Sequence, residues 1–409
     1  MMHAEPMVVT PGRALPIVAP APRDDDAWAL VNTLVFDSAA HVLRQADVEI
    51  VAGEIAAVVP AGASRAPRRI DASGLLCAPG LAAVFPAAGD ASADMLPGDA
   101  LSHSLARGIT LAGCWTADAA SDLAHATRAG GRVVLFATLA DRWVGPGNGP
   151  PIRSIDGCLL EYARAMQAAD AAGARVIVAP AIGSQLAASP RLVLALHEAA
   201  HRRGSRFAVR IDSGGEYAAQ FRDAYGCSGV ALLRSLDALD SHLLAYPAAP
   251  LGSHERSLLR TSGAHVIGAT PAQGADAAVL AWSAADAGFD AWLDAHRRER
   301  RAALAMWRAR DAAAGLVDRL TWKGARALGL ANAGRVATGH CADLLLYDRP
   351  PAVRERPAAF DAAAFLELVA HTRPAAVLVD GAWVAGTQPA AARAHGGAPA
   401  GDVAIRFAR

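Results

Sequence analysis

The chain has 409 residues, 53% hydrophobic and 19% charged, which excludes a solvated disordered chain and leaves ample material for a large core. Thirty-nine basic residues balance thirty-nine acidic ones, so net charge draws the protein neither to nucleic acid nor to an anionic membrane. No apolar run reaches the roughly 20 residues of a membrane span and no secretory signal is evident, so a cytoplasmic protein is expected.

Residues 1–27 are proline-rich, end in Asp24-Asp25-Asp26, and are expected to form a flexible N-terminal arm. Trp28 to Phe36 is apolar and β-prone. Val48 to Ile55 reads as strand, Ala-Gly turn, strand, and Arg69-Ile70 as a short strand before the turn cluster Asp71-Ala72-Ser73-Gly74. Leu75 to Val84 is an apolar run broken by Pro79-Gly80.

The middle alternates. Strand-like runs lie at Ile109–Trp115, Arg132–Leu139, Arg175–Ala181, Arg206–Ile211, Leu243–Tyr246, Ala264–Ile267 and Ala278–Ala281, with helical stretches between several of them. Leu159–Ala172 ends at Gly173, and Pro190–Arg203 has Ser189 as N-cap and Gly204 as stop. Such alternation argues a parallel sheet with crossover helices, and about eight units fit between residues 80 and 330, which favours a closed barrel. The tail returns to β character at Gly334–Val336, Ala342–Asp348 and Pro374–Ala385, the last a hairpin around Asp380-Gly381. The expected fold class is therefore α/β. A TIM-like (β/α)8 barrel over residues 81–330 is joined to a small discontinuous β-sandwich domain, 28–80 and 331–388, built from both chain ends. Residues 389–409 form a C-terminal tail.

These elements, in this order, resemble the amidohydrolase superfamily. Asp71 to Leu81 (DASGLLCAPGL) looks like that family's entry into the first barrel strand, and Arg107-Gly108-Ile109-Thr110 like its Gly-Val-Thr element. Leu320 to Leu330, Gly339 to Asp348, and Val379-Asp380-Gly381 resemble its closing signatures. The resemblance runs from about Trp28 to Ala385. Its middle is most similar to the deaminase and chlorohydrolase branch, while the short loop after the first strand is more like dihydroorotases.

In that family a divalent metal held at barrel-strand ends lowers the pKa of bound water to about 7. The resemblance implies a first ligand pair at Phe85 and Ala87, a third ligand near Arg210, a fourth at Tyr246 and an aspartate near Ala284, with Asp286 two residues beyond. Phenyl and methyl groups cannot ligate, a guanidinium repels cations, and a phenol must first ionise. The single lysine, Lys323, lies beyond the barrel strands, which excludes a bridging carboxylated lysine. His197 and His201 share a helix face and could bind zinc in principle, but are read as an exposed polar pair on an outer helix. His103, His125, His242, His254 and His265 are read as isolated.

Other chemistries lack support. There is neither a Gly-x-Ser-x-Gly nor a phosphate loop; Gly145-Pro146-Gly147-Asn148-Gly149 reads as a loop over the barrel mouth. Cys77, Cys114, Cys158, Cys227 and Cys341 are scattered, suggest neither disulfides nor a thiolate zinc site, and have no nearby base.

What remains is a barrel mouth carrying Arg210, Asp212, Glu216 and Tyr246. Arg210 there would either clamp a small anionic ligand or pair internally with an Asp or Glu in the vacated metal position. The expectation is thus a degenerate homologue without a cofactor, acting as a scaffold, partner subunit or ligand-binding protein, in company with a protein partner or a second copy. The alternatives are a hydrolase on C–N bonds with a non-standard site, or a metal-free enzyme using Arg210, Tyr246 and a carboxylate.

Overall fold

The computed structural model describes residues 27–85, 98–143, 152–212, 218–268, 277–281, 309–350, 353 and 360–386. The expected arm, tail and glycine-rich loop, with Ala87, Glu216, Ala284 and Asp286, lie outside the described residues.

Eight parallel strands close into a barrel: β6 (Leu81–Phe85), β7 (Ile109–Thr116), β8 (Arg132–Thr138), β9 (Val176–Ile182), β10 (Phe207–Ile211), β11 (Leu243–Pro247), β12 (His265–Gly268) and β13 (Val279–Leu280). A parallel bridge between Val84 and Ala281 joins last to first. Both faces of each strand are covered, so these segments read as continuous apolar runs. Alternation nevertheless sorts them into two cores. Ala82, Val84, Leu111, Trp115, Val134, Phe136, Ala179, Ala181, Ala208, Leu244, Ile267 and Val279 form an inner cluster that fills the barrel. Leu81, Ala83, Phe85, Ile109, Val133, Leu135, Val176, Val178, Phe207, Val209 and Leu243 face outward into the helical layer.

That layer comprises α1 (Gly98–Ala106), α2 (Ala119–Ala129), α3 (Ile155–Ala172), α4 (Pro190–Arg203), α5 (Ala218–Tyr225), α6 (Gly229–Ser235) and α7 (Ser253–Ser262). Local chemistry sets their ends. The Ser189 hydroxyl accepts from the Leu192 N–H at 3.2 Å, and Gly204 ends α4 at φ 67°, a left-handed conformation that costs glycine little. After the barrel, α8 (Ala309–Leu320) and α9 (Trp322–Ala327) pack against β6 and β13, and Leu328 reaches into the barrel interior.

The second sheet is mixed and draws on both chain ends: β1 (Trp28–Asp37), β2 (Val42–Val51), β3 (Glu54–Pro60), β4 (Arg68–Asp71), β5 (Leu75–Pro79), β14 (Leu344–Asp348), β15 (Ala376–Val379) and β16 (Ala382–Gly386). Its order is β16-β15-β14-β5-β1-β2-β3, with β4 also on β1, and it covers a core that includes Leu30, Val48, Ile50, Ile70, Leu344 and Leu378. The β15–β16 turn is Asp380-Gly381, at φ 52° and 66°, the left-handed pair that a two-residue hairpin needs. A further helix, α10 (Ala362–His371), lies between β14 and β15 and is not evident in the sequence.

One sequence expectation is corrected. Gly334–Val336 is not a strand but part of an irregular loop. Gly334 sits at φ 77°, and a Cβ there would lie 2.6 Å from the Thr321 carbonyl carbon, so the backbone contact that shapes this loop admits only glycine.

The junction between sheet and barrel is ionic. Arg132, at the start of β8, donates through Nε to Asp343 Oδ2 at 2.6 Å and through Nη2 to Asp380 Oδ1. Arg175 donates through Nε to Asp380 Oδ2 at 2.7 Å and through Nη2 to the Val379 carbonyl at 3.0 Å. Asp343 Oδ1 accepts from the Asp380 N–H at 2.9 Å. Both partners of the Arg132–Asp343 pair are buried, so each charge needs the other. The aspartates of two closing signatures thus have a structural task at the base of the barrel.

Candidate functional site

In barrels of this type ligands meet the C-terminal ends of the strands. At that end the structure brings Arg210, Tyr246 and Trp115 together. Arg210 and Tyr246 are register partners on β10 and β11, each two residues beyond an inner-core side chain, Ala208 and Leu244. Strand alternation therefore turns both into the barrel. The Tyr246 ring lies 6.1 Å from that of Trp115, which lies 5.6 Å from that of Phe136. Burial pushes the Tyr246 phenol above its ordinary value, and the Arg210 charge pulls it back.

Among the described residues, two hydrogen-bond donors at this end have no acceptor. Arg210 Nε and Trp115 Nε1 are both buried and unpartnered, and Arg210 makes no hydrogen bond or ion pair among the described residues. Native interiors seldom leave such groups unmatched, because each forfeits its bonds to water. A guanidinium edge and an indole N–H beside an aromatic wall are chemically suited to an acceptor-rich, planar anion.

Asp212 has a different task. It is 2% exposed, and its Oδ2 accepts from the Ser184 hydroxyl at 2.5 Å and from the Gln185 N–H at 2.7 Å. Gln185 in turn accepts from the Asp212 N–H at 3.2 Å and donates to the Gly229 carbonyl at 3.1 Å. The carboxylate braces the loops after β9 and β10, and no Arg210–Asp212 hydrogen bond forms. Burial raises the Asp212 carboxyl, opposed first by the Ser184 hydrogen bond and then by Arg210. Phe85 points away from the barrel axis: it packs in the outer layer with Leu81 and Ala83, and Val84 is the lumen-facing residue of that strand end.

Among the described residues, the inward groups at the strand ends, Val84, Trp115, Arg210, Tyr246 and Ala281, offer no imidazole, thiolate or carboxylate, and Asp212 is bound by Ser184 and Gln185. Cys114 is buried in the outer layer, and burial pushes its thiol far above the ordinary value, so it is no nucleophile. A cleft of about 600 Å³ opens at the opposite end of the barrel, beside Gly173, Gly204, Arg206 and Leu328.

Two histidine expectations are corrected. His197 is 9% exposed rather than fully solvated, and it shares Asp240 with the more exposed His201. His242 is not isolated; its ring centroid is 3.9 Å from that of His201. Sequence reasoning also missed Trp115. Alternation from Leu111 through Gly113 carries the signal, but an aromatic residue at a strand end reads as core.

No family model and no curated protein matches the chain. Solved structures do. Atrazine chlorohydrolase from Arthrobacter aurescens, complexed with zinc, superposes with a TM-score of 0.70 at 16% identity, over 88% of this chain and 95% of that one. A zinc-bound adenosine deaminase from Xanthomonas campestris gives 0.67 at 18%, over 87% and 92%. An amidohydrolase from a Sargasso Sea environmental sample gives 0.67 at 19%, over 88% and 93%. The chain therefore has the amidohydrolase-superfamily fold, a closed parallel barrel with a mixed sheet built from both chain ends. At this identity the likeness establishes the architecture.

Proposed function

We propose that this protein is an amidohydrolase-superfamily homologue whose barrel mouth binds a small planar organic anion and performs no metal-dependent hydrolysis. The observation that carries the reading is the pair of unmatched buried donors, Arg210 Nε and Trp115 Nε1, beside Tyr246 at the strand ends. A carboxylate placed against Arg210 would satisfy the guanidinium, and the Trp115, Phe136 and Tyr246 rings would cover an aromatic or conjugated body. Arg210 and Trp115 are the specificity groups, and Asp212 positions the loops around them.

The test is calorimetric titration of the full chain with benzoate and related small aromatic carboxylates. Saturable binding is expected, weakened roughly 10- to 100-fold in Arg210→Ala through loss of a charge-assisted pair. Absence of binding, or equal binding by the variant, overturns the reading. A second reading, hydrolysis of C–N bonds with a non-standard site, is favoured by the deaminase activity named for one structural neighbour. Turnover of a triazine or purine that is lost on chelation and restored by zinc would support it instead.

A further inference from the structure

We propose that His197, His201 and Asp240 form a zinc-binding site at the base of the barrel, on the face opposite the mouth. The site is independent of what the mouth does. His197 and His201 lie four residues apart near the C-terminus of α4, on one helix face. Asp240 lies just before β11, in the loop that enters the same end of the barrel. His197 Nε2 is 3.0 Å and His201 Nε2 is 2.5 Å from Asp240 Oδ2, and the three donor atoms all lie within 4.8 Å of one another.

Two imidazoles and one carboxylate are the borderline donor set that a small divalent ion such as zinc takes, with water completing a tetrahedron. Ligand atoms in such a site sit about 2.0 Å from the metal and ~3.3 Å from one another, a spacing reached from this cluster by adjusting the three side chains, with Asp240 withdrawing slightly from the two rings. A carboxylate only accepts, so both Nε2 atoms carry hydrogen in the metal-free form. On binding, each neutral imidazole moves that hydrogen to Nδ1 and presents the Nε2 lone pair.

The surroundings favour this geometry. Asp240 Oδ1 is held by the His242 N–H at 2.8 Å, which leaves Oδ2 for the ion. The His242 ring packs against His201, and its Nδ1 faces the Ser205 carbonyl at 3.0 Å. Since a carbonyl cannot donate, His242 Nδ1 carries the hydrogen, and that bond fixes the ring that packs against His201. Bound zinc would fasten the last turn of α4 to the strand entry two barrel units on.

The experiment is titration of chelator-treated, dialysed full chain with zinc chloride, read by calorimetry and by thermal melting. One equivalent is expected to bind, with an upward melting shift that saturates at that ratio. His201→Ala and His201→Asn are each expected to weaken binding at least about 100-fold, Asp240→Asn is expected to weaken it too, and Arg210→Ala is expected to leave it unchanged. Unchanged affinity in both His201 variants, or no saturation at one equivalent, overturns the proposal. A readout on the unmutated protein guards against misfolded variants: zinc must protect His201 from diethyl pyrocarbonate, mapped by mass spectrometry, and absent protection refutes the site. Zinc retained at one equivalent by both His201 variants would place the ion elsewhere on the chain and refute this site.

Discussion

Two arginines point into this molecule from opposite ends of the barrel strands. Arg132, at the base, is 7% exposed and held by Asp343 and Asp380. Arg210, at the mouth, has a buried Nε with no acceptor. The difference separates architecture from availability. At the base the closing sheet supplies counter-charges that the fold itself delivers. At the mouth the fold delivers a buried guanidinium Nε and an indole N–H that have no hydrogen-bond acceptor among the described residues.

The largest expected effect tests the base. Arg132→Ala leaves Asp343 buried without its counter-charge and should cost about 3–5 kcal/mol in urea denaturation. If the loss is under about 1 kcal/mol, the junction is not what joins sheet to barrel.

A second test at the same end uses pH. His265 begins β12, and burial, with the Arg206 and Arg326 charges, pushes its imidazole down to about 4 from the ordinary 6.5. Between those values the unfolded chain takes up a proton that the folded chain refuses, so stability falls as pH drops from about 6.5 to about 4. The full window amounts to up to about 3 kcal/mol. His265→Asn should remove that portion of the acid loss, seen as a shallower fall of unfolding free energy in the variant than in the parent protein between pH 7 and pH 4.

At the mouth, Asp212→Ala strips the brace from Ser184 and Gln185 and should cost about 1–3 kcal/mol. The smallest change is expected where the charge has no partner. Arg210→Met should leave stability unchanged or raise it by up to about 1 kcal/mol while weakening carboxylate binding roughly 10- to 100-fold. A destabilisation as large as that of Arg132→Ala would show that Arg210 is structural and end the contrast.

Much of the architecture was readable in the sequence because it is written in local chemistry. Ser189 and Gly204 bracket α4 as capping predicts, Asp380-Gly381 makes the expected hairpin turn, and the eight apolar runs are the eight barrel strands. The site was less readable. Arg210 and Tyr246 could be placed side by side from strand order, yet which way Phe85 faces depends on the alternation phase of one five-residue strand. Asp212 looked like a ligand because its type is right; only coordinates show that Ser184 and Gln185 have claimed it. Asp240 lies 39 residues from His201, and no spacing rule links them. Their meeting depends on helix ends and strand starts sharing one end of a barrel.

The position of β14 between β5 and β15 bears on how the protein is made. While the ribosome is still synthesising the barrel, β5 has emerged without its β14 neighbour, and Arg132 and Arg175 have emerged without Asp343 and Asp380. The open strand edge persists in the nascent chain until β14 is translated, and the Arg175 guanidinium lacks its carboxylate until the Asp380 turn follows, a span in which the exposed edge favours aggregation.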